Sequence, residues 1–240
     1  MNRFFVPGAK LTMGNTIDIT DAQDVQHIQR VLRLKGGDAL ELADGAGLEA
    51  VGQITELAKT IVRVKVVEES TVNRESPLEI VLYQGLPKGQ KLEVIFQKNT
   101  EIGVAGFVPM ITERCVVKIN DMDAENKKRV RWQMIIDEAA KQSKRGRLPV
   151  LKPAVSLNEA LGTLTGFDLI LVPHTGEGTC PLAEVLSRSG LRRIAVFIGP
   201  EGGFTESEVR SIVEAGGKAI TLGPRILRTE TAGFVASSIL

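Results

Sequence analysis

Three nearly uninterrupted apolar runs in the C-terminal half, FDLILV at 167–172, RIAVFI at 193–198 and KAITL at 218–222, each empty into a polar segment led by Gly or Pro. The segments are PHTGEGT, GPEGGFTESE and GPRILRTETA. Short apolar runs bounded by such residues read as strands buried on both faces, the pattern of a parallel sheet covered by helices. Sheets of that kind bind ligands beyond the carboxyl ends of their strands. Taken singly, Gly and Pro simply end a strand. Three such endings in succession predict one pocket, where backbone amides and carbonyls hold a flat polar ligand.

The rest of the chain from residue 73 follows the same grammar. LEIVLY at 78–83 and FVPMI at 107–111 are further strands, and helices fit over 90–102, with Leu92, Ile95 and Phe96 inward, and near 124–142, 157–164 and 181–188. Ser156 with Glu159, and Thr205 with Glu208, have capping-box spacing. A last helix from Thr229 places Ala232, Val235, Ala236, Ile239 and Leu240 on one stripe. This is an α/β fold with a mainly parallel sheet.

Residues 1–72 read differently. IDI at 17–19, DALELAD at 38–44, LEAVGQITEL at 48–57 and TIVRVKVVEE at 60–69 are short β-type segments between turn residues, which predicts a small barrel or curled sheet. Thr20 with Gln23 has capping-box spacing, and Val25, Ile28, Val31 and Leu32 set one short helix among the strands. The polar stretch ESTVNRESP at 69–77 separates a domain over 1–72 from one over 73–240.

Several function classes drop out. There is no GxxxxGK[ST], and the GxGxxA match at Gly45 to Ala50 falls in a β-turn with no helix behind it, so a dinucleotide enzyme or an ATPase is disfavoured. Cys115 and Cys180 lie far apart, with only His27 and His174 beside them, which predicts reduced thiols and no metal. No apolar run is long enough to span a membrane, and MNRFFVPGAK lacks the apolar core of a secretory signal, which predicts a cytoplasmic protein.

The net charge of +1 means that any nucleic-acid site is local. Lys127, Lys128, Arg129 and Arg131 form one basic cluster, and KQSKRGRLPVLK, with Lys141, Lys144, Arg145, Arg147 and Lys152, forms another. Such clusters neutralise phosphates. They read equally as a solvated helix face and a basic loop. In GPRILRTETA, Arg225 and Arg228 stand between a buried strand and a helix start, where a guanidinium can stabilise developing negative charge, while Glu201 or Glu230 can handle a proton. Phosphate binding, helix capping and plain salt bridges account for the same residues.

With these residues in hand, the chain closely resembles the bacterial 16S ribosomal RNA uridine-N3 methyltransferases of the SPOUT superfamily. The resemblance runs nearly end to end and rests on RFFV at 3–6, HIQRVLRLKGGD at 27–38, LPKGQKLEVIFQKNTEIGV at 86–104, QSKRGRLP at 142–149, IGPEGGFTESE at 198–208 and LGPRILRTETA at 222–232. It implies a PUA-like β-barrel for RNA, then a SPOUT-type α/β domain whose last segment forms a trefoil knot, and a homodimer. It also implies an enzyme that uses S-adenosyl-L-methionine to methylate N3 of a uridine in the small ribosomal subunit. Readings kept beside it are a methyltransferase for a ribose 2′-hydroxyl or transfer RNA, and a non-catalytic RNA-binding assembly protein.

Carried onto this sequence, the resemblance assigns the cofactor pocket to Leu171, Pro173 and Gly176, to Ile198, Gly199, Gly202 and Gly203, and to Leu222, Gly223, Ile226, Leu227, Arg228, Thr231 and Ala232. The RNA-binding positions are Arg3, His27, Arg30 and Arg33, with Lys88, Lys98 and Arg145. Arg228 is the expected cation, with Glu201 or Glu230 as base. One departure stands out: Lys141 precedes Gln142 and Ser143 where the family usually has an acid.

Overall fold

The computed structural model describes residues 1–70, 73–116, 122–176, 178–186 and 190–240, without side chains at 122–125. Thr71 and Val72 of the expected linker, Glu177 of the first loop and the last two residues of the helix expected over 181–188 lie outside the described residues. The chain divides into two compact units, Met1–Glu75 with Ala140–Leu148, and Ser76–Ala139 with Pro149–Leu240.

The first unit is a curled five-stranded sheet in the order β1-β3-β4-β5-β2. Its elements are β1 (Arg3–Phe5), β2 (Thr16–Ile19), α1 (Ala22–Gln26), β3 (Ala39–Ala43), β4 (Glu49–Leu57) and β5 (Val62–Ser70). β1 runs parallel to β3 and the other pairings are antiparallel. β4 carries two register shifts against β5, which bend the long strands around a core of Phe4, Ile19, Ile28, Leu40, Leu42, Ile54, Val62 and Val64. β1, too short for an alternation signal, was not foreseen.

The helix among these strands departs from expectation at both ends. Its cap is Asp21, which accepts from the amides of Gln23 and Asp24, rather than Thr20. After Gln26 the helix widens into a π turn over His27–Val31, closed by the Leu32 amide on the His27 carbonyl at 2.9 Å. The wider turn shifts the phase, so Val31 is 69% exposed instead of inward.

The segment Ala140–Leu148 belongs to this unit and is held by ion pairs. Arg3, only 5% exposed, reaches Glu41 at 3.1 Å, Glu49 at 2.5 Å, and the carbonyls of Lys144 and Arg145 at 2.9 and 2.7 Å. Arg145 meets Glu75 at 2.7 Å, and Glu75 also accepts from the amides of Gly146 and Arg147. Burial alone would push the Glu75 carboxyl upward, but Arg145 and these amides hold it below the usual range. Lys141 pairs with Asp24 at 2.6 Å, which gives the departure before Gln142 a local partner.

The second unit contains β6 (Glu79–Gly85), α2 (Lys91–Ile102), β7 (Gly106–Ile111), α3 (Met122–Gln142, whose last turn enters the first unit), β8 (Val150–Leu151), β9 (Val155–Ser156), α4 (Leu157–Leu161), β10 (Leu169–Pro173), β11 (Cys180–Pro181), α5 (Leu182–Val185), β12 (Arg193–Ile198), α6 (Glu206–Glu214), β13 (Lys218–Thr221) and α7 (Thr229–Ile239). The sheet order is β11-β13-β10-β12-β6-β7-β8, with β9 also on β7, and every pairing described is parallel.

Alternation along the strands splits the core into two layers. Ile80, Leu82, Leu169, Leu171, Ile194, Val196 and Ile198 face Leu92, Ile95, Phe96, Trp132 and Ile136 of α2 and α3. Val81, Tyr83, Ile170, Val172, Ala195 and Phe197 face Leu157, Ala160, Val209 and Ile212 of α4 and α6. Both capping boxes form, at Ser156 with Glu159 and at Thr205 with Glu208.

The expected stripe on α7 is only partly the buried one. The inward residues are Thr229, Gly233, Ala236 and Ser237, while Ile239 is 53% exposed. α7 packs against α2, where an added Cβ at position 233 would contact Asn99, Leu82 and Gln84. A polar, close-packed seat selects small residues, which an apolar-stripe rule does not see.

The Arg3 pairs are expected to hold the first unit together rather than to decorate it. Arg3→Ala should cost about 3–5 kcal/mol in urea unfolding, because it takes the buried guanidinium from Glu49, Glu41 and two carbonyls at once and leaves Glu49 only the partly exposed Arg74 at 3.1 Å. A loss under about 1 kcal/mol, the range of exposed pairs, would contradict that role.

Candidate functional site

Strands β13, β10 and β12 are consecutive neighbours running parallel, so the segments leaving their carboxyl ends emerge along one edge of the sheet. Those segments surround a cavity of about 520 Å³ in the second unit. Pro173, His174 and Thr175 line it from the first, Gly199 to Phe204 from the second, and Thr221 to Glu230, apart from Pro224, from the third. The volume lies in the range of small-molecule sites.

Backbone approaches backbone closely at this edge. A Cβ added at Gly85 would stand 2.7 Å from Pro200 Cδ and 2.8 Å from Pro200 N, and one added at Gly199 would stand 2.8 Å from the Gly203 carbonyl carbon. Only glycine lets the second loop fold back on itself against the end of β6.

A buried polar tie fixes that contact. Gln84 is fully buried, and its Nε2 donates to the Gly85 carbonyl at 2.9 Å, the Gly199 carbonyl at 3.4 Å and Thr229 Oγ1 at 2.9 Å. Thr229 Oγ1 in turn donates to the Gly199 carbonyl at 2.6 Å. One side chain therefore joins β6, the second loop and the first turn of α7. Sequence reasoning passed over Gln84, although an amide at the end of the apolar run EIVLY was a signal that it had a buried partner.

A second brace comes from the turn after β7. Arg114 donates to the carbonyls of Gly202 at 2.6 Å and Phe204 at 3.3 Å. Glu208, in the first turn of α6, accepts from the amides of Glu113 at 2.8 Å and Thr205 at 2.9 Å. Nothing in the sequence pattern ties Arg114 to a loop 88 residues away.

The expected cofactor residues divide into two groups. Pro173, Gly199, Gly202, Gly203, Leu222, Gly223, Ile226, Leu227 and Arg228 line the cavity. Leu171 and Ile198 point into the core beneath it, and Gly176, Thr231 and Ala232 lie outside its lining. Lys91, His174, Thr175, Pro200, Phe204, Thr221 and Thr229 are lining residues that were not foreseen. His174 Nε2 stands 3.3 Å from Glu206. Ile226 is 84% exposed, an apolar side chain at the mouth with nothing over it.

Electrostatics distinguish the charged groups. Arg225 and Arg228 are exposed at the cavity, and Arg228 is the cap residue of α7, with no capping bond from its side chain. Glu201 pairs with Lys91 at 2.7 Å and accepts from the Lys88 amide at 3.0 Å. Burial raises its carboxyl, and the hydrogen bonds from Lys91 and Lys88 outweigh this, so it sits below the usual range. Glu230 lines the same cavity.

Of the expected RNA positions, His27 is half-buried and edge-on to Phe4, while Arg30 and Arg33 are exposed in the first unit. Lys88 and Lys98 are exposed in the second, Lys98 beside Glu101 at 2.8 Å. Arg3 and Arg145 are buried in the ion pairs described above and present little surface. Among the described residues, no group of three or more His, Cys, Asp or Glu is placed to hold a metal ion, and no helix is long and apolar enough to cross a membrane.

The sequence matches the family described as RNA methyltransferase domain over residues 74–240, and that described as RNA methyltransferase PUA domain over 19–67. The chain belongs to this RNA methyltransferase family. Ribosomal RNA small subunit methyltransferase E of Bacillus subtilis is 38% identical over 247 residues, covering 100% of this chain and 96% of the relative. The Synechocystis protein of the same name is 35% identical over 92% of this chain and 71% of its own. A solved Ribosomal RNA small subunit methyltransferase E from Neisseria gonorrhoeae, bound to S-adenosyl methionine, superposes with a TM-score of 0.88 at 36% identity, over 100% of this chain and 96% of that one. The two folds are thus the PUA-like domain and the SPOUT methyltransferase domain of this family, with the expected mostly parallel sheet.

The Arg114 brace makes a testable demand on this family site. Arg114→Ala removes the donor to two carbonyls of the second loop, so the Gly203 and Phe204 amides should exchange with solvent faster by on the order of tenfold, the equivalent of about one hydrogen bond to a charged group. Unchanged exchange there would show that the loop holds its shape without the guanidinium.

Proposed function

We propose that this chain transfers a methyl group from S-adenosyl-L-methionine to N3 of a uridine in 16S ribosomal RNA, acting in the cytoplasm as a homodimer. The observation that carries the reading is the convergence of three strand-end loops on one cavity beside an exposed arginine. The Neisseria gonorrhoeae relative binds S-adenosyl methionine, and the related proteins are named for the small-subunit ribosomal RNA.

The residues present fit the cofactor. Backbone groups of Gly199, Gly203, Leu222 and Leu227 suit the hydrogen-bonding edge of an adenosyl group, and Ile226 and Leu227 offer apolar cover for its ring. When bound, the cofactor supplies an electrophilic methyl carbon on a sulfonium. The protein's part is to align N3 with that carbon and to exclude water. As N3 loses its proton, negative charge spreads onto the ring oxygens, and Arg228, exposed at the cavity, is the cation that faces one of them in this reading. Glu201 or Glu230 takes the proton.

RNA is gripped through His27, Arg30 and Arg33 of the barrel and Lys88 and Lys98 of the catalytic domain. Arg3 and Arg145 support the barrel from within. A second copy of the chain would cover exposed Val94 on α2 and Ile239 on α7. The trefoil knot implied for the final segment agrees with Thr229 bonding Gln84 and Gly199.

Nucleoside mass spectrometry of ribosomal RNA from a strain lacking this protein tests the whole reading. N3-methyluridine should vanish and return with the wild-type gene. With Arg228→Ala it should stay about a hundredfold slower to form, while calorimetry gives cofactor affinity within a few fold. Loss of a ribose-methylated or transfer-RNA nucleoside instead would redirect the substrate, and equal loss of binding and rate would make Arg228 a pocket residue only.

A further inference from the structure

Two carboxylates border the cavity, and their surroundings separate their roles. Glu201 is engaged by the Lys91 ammonium at 2.7 Å and by the Lys88 amide, and it is held below the usual carboxylate range. Such an acid binds a further proton poorly.

Glu230 differs in its contacts. It lies in the first turn of α7, two residues after Arg228, and its Oε2 is shut off from solvent without any hydrogen-bond partner. Leaving a buried acceptor unmet is costly. Glu230 lines the cavity, so a turn of its carboxylate toward a donor there relieves the cost, and the N3–H of uracil is such a donor, carried on a flat ring. Arg228 caps the same helix, so the backbone positions that carry the proton acceptor and the charge stabiliser are fixed together.

Resting on the methyl-transfer reading above, we infer that Glu230 is the catalytic base. Its Oε2 takes the N3 proton, and the freed electron pair on N3 forms the bond to the methyl carbon. The carbon–sulfur bond breaks with its electrons remaining on sulfur. The products are N3-methyluridine, S-adenosylhomocysteine and a protonated Glu230, which returns its proton to water as the products leave. The other charged or titratable groups bordering the cavity are Lys91, His174, Glu201, Arg225 and Arg228.

The test compares Glu230→Gln with Glu201→Gln in the full-length protein, using an RNA fragment containing the target uridine. Cofactor Kd is read by calorimetry and methylation rate from pH 6.5 to 9. Glu230→Gln should keep cofactor Kd within about threefold and lose a hundredfold or more in rate at pH 7. Its rate should then climb close to tenfold per pH unit, because the ring must ionise without help. Glu201→Gln, whatever its rate, should keep the wild-type pH profile.

A Glu230→Gln enzyme with the wild-type profile, or a steep profile in Glu201→Gln instead, overturns the assignment. Loss of cofactor affinity in Glu230→Gln also overturns it, by making Glu230 a cofactor ligand. A wild-type protein that neither binds the cofactor nor methylates RNA overturns the function reading and this assignment together. Should Gln at 230 prevent folding, Glu230→Asp carries the test: the carboxylate is drawn back by one methylene, and the rate should fall at least tenfold with the pH plateau kept. An unchanged rate contradicts the proposal.

Discussion

The Gln84 amide is the interaction on which the site depends. It is buried where three non-adjacent parts of the second unit meet, and its bonds to Gly85, Gly199 and Thr229 decide how closely they approach. Separating them would leave the buried Gln84 Nε2 without Gly199 and Thr229 as acceptors, a costly state in a dry environment, so the three parts are held together. The same demand explains the small residues on the inner face of α7 and the absence of a Cβ at positions 85 and 199, where one would strike backbone or the Pro200 ring. Once those contacts are set, the third loop has to pass over the sheet edge, and its arginines are delivered to the cavity mouth.

Charge is used differently in the two units. In the first, cations of the returning segment are consumed by carboxylates: Lys141 by Asp24, Lys144 by Glu41, Arg145 by Glu75. They act as a clasp that keeps Ala140–Leu148 on the curled sheet, with Arg3 bonded to the segment's carbonyls from beneath. In the second, Arg225 and Arg228 stay exposed at a cavity that Lys91, His174, Glu201 and Glu230 also border. Three cations of a basic run in sequence are thus spent on internal pairs, while Arg225 and Arg228 border the cavity.

The parts of the fold that were legible follow from period and punctuation. Parallel strands buried on both faces leave long apolar runs, so RIAVFI was placed to the residue, and capping boxes at Ser156 and Thr205 announced their helices. Strand-end loops pointed to the cavity because parallel strands must all end on one side. What was not legible depends on partners distant in sequence. Gln84, Arg114 and the burial of Arg3 make sense only through contacts formed on folding. Val31 was misplaced because a π turn breaks the helical period, and Ile239 because the buried face of α7 runs through Thr229, Gly233, Ala236 and Ser237, with Ala232 and Leu240 beside it on the core.

Hydrogen exchange of the whole protein, with and without S-adenosyl-L-methionine, tests the account most directly. If the three loops form one cavity, backbone amides around His174, Gly203 and Leu227 should all slow together on adding the cofactor, with the barrel strands unaffected. Protection confined to a single loop, or appearing only away from this sheet edge, would contradict the claim that they enclose a common ligand.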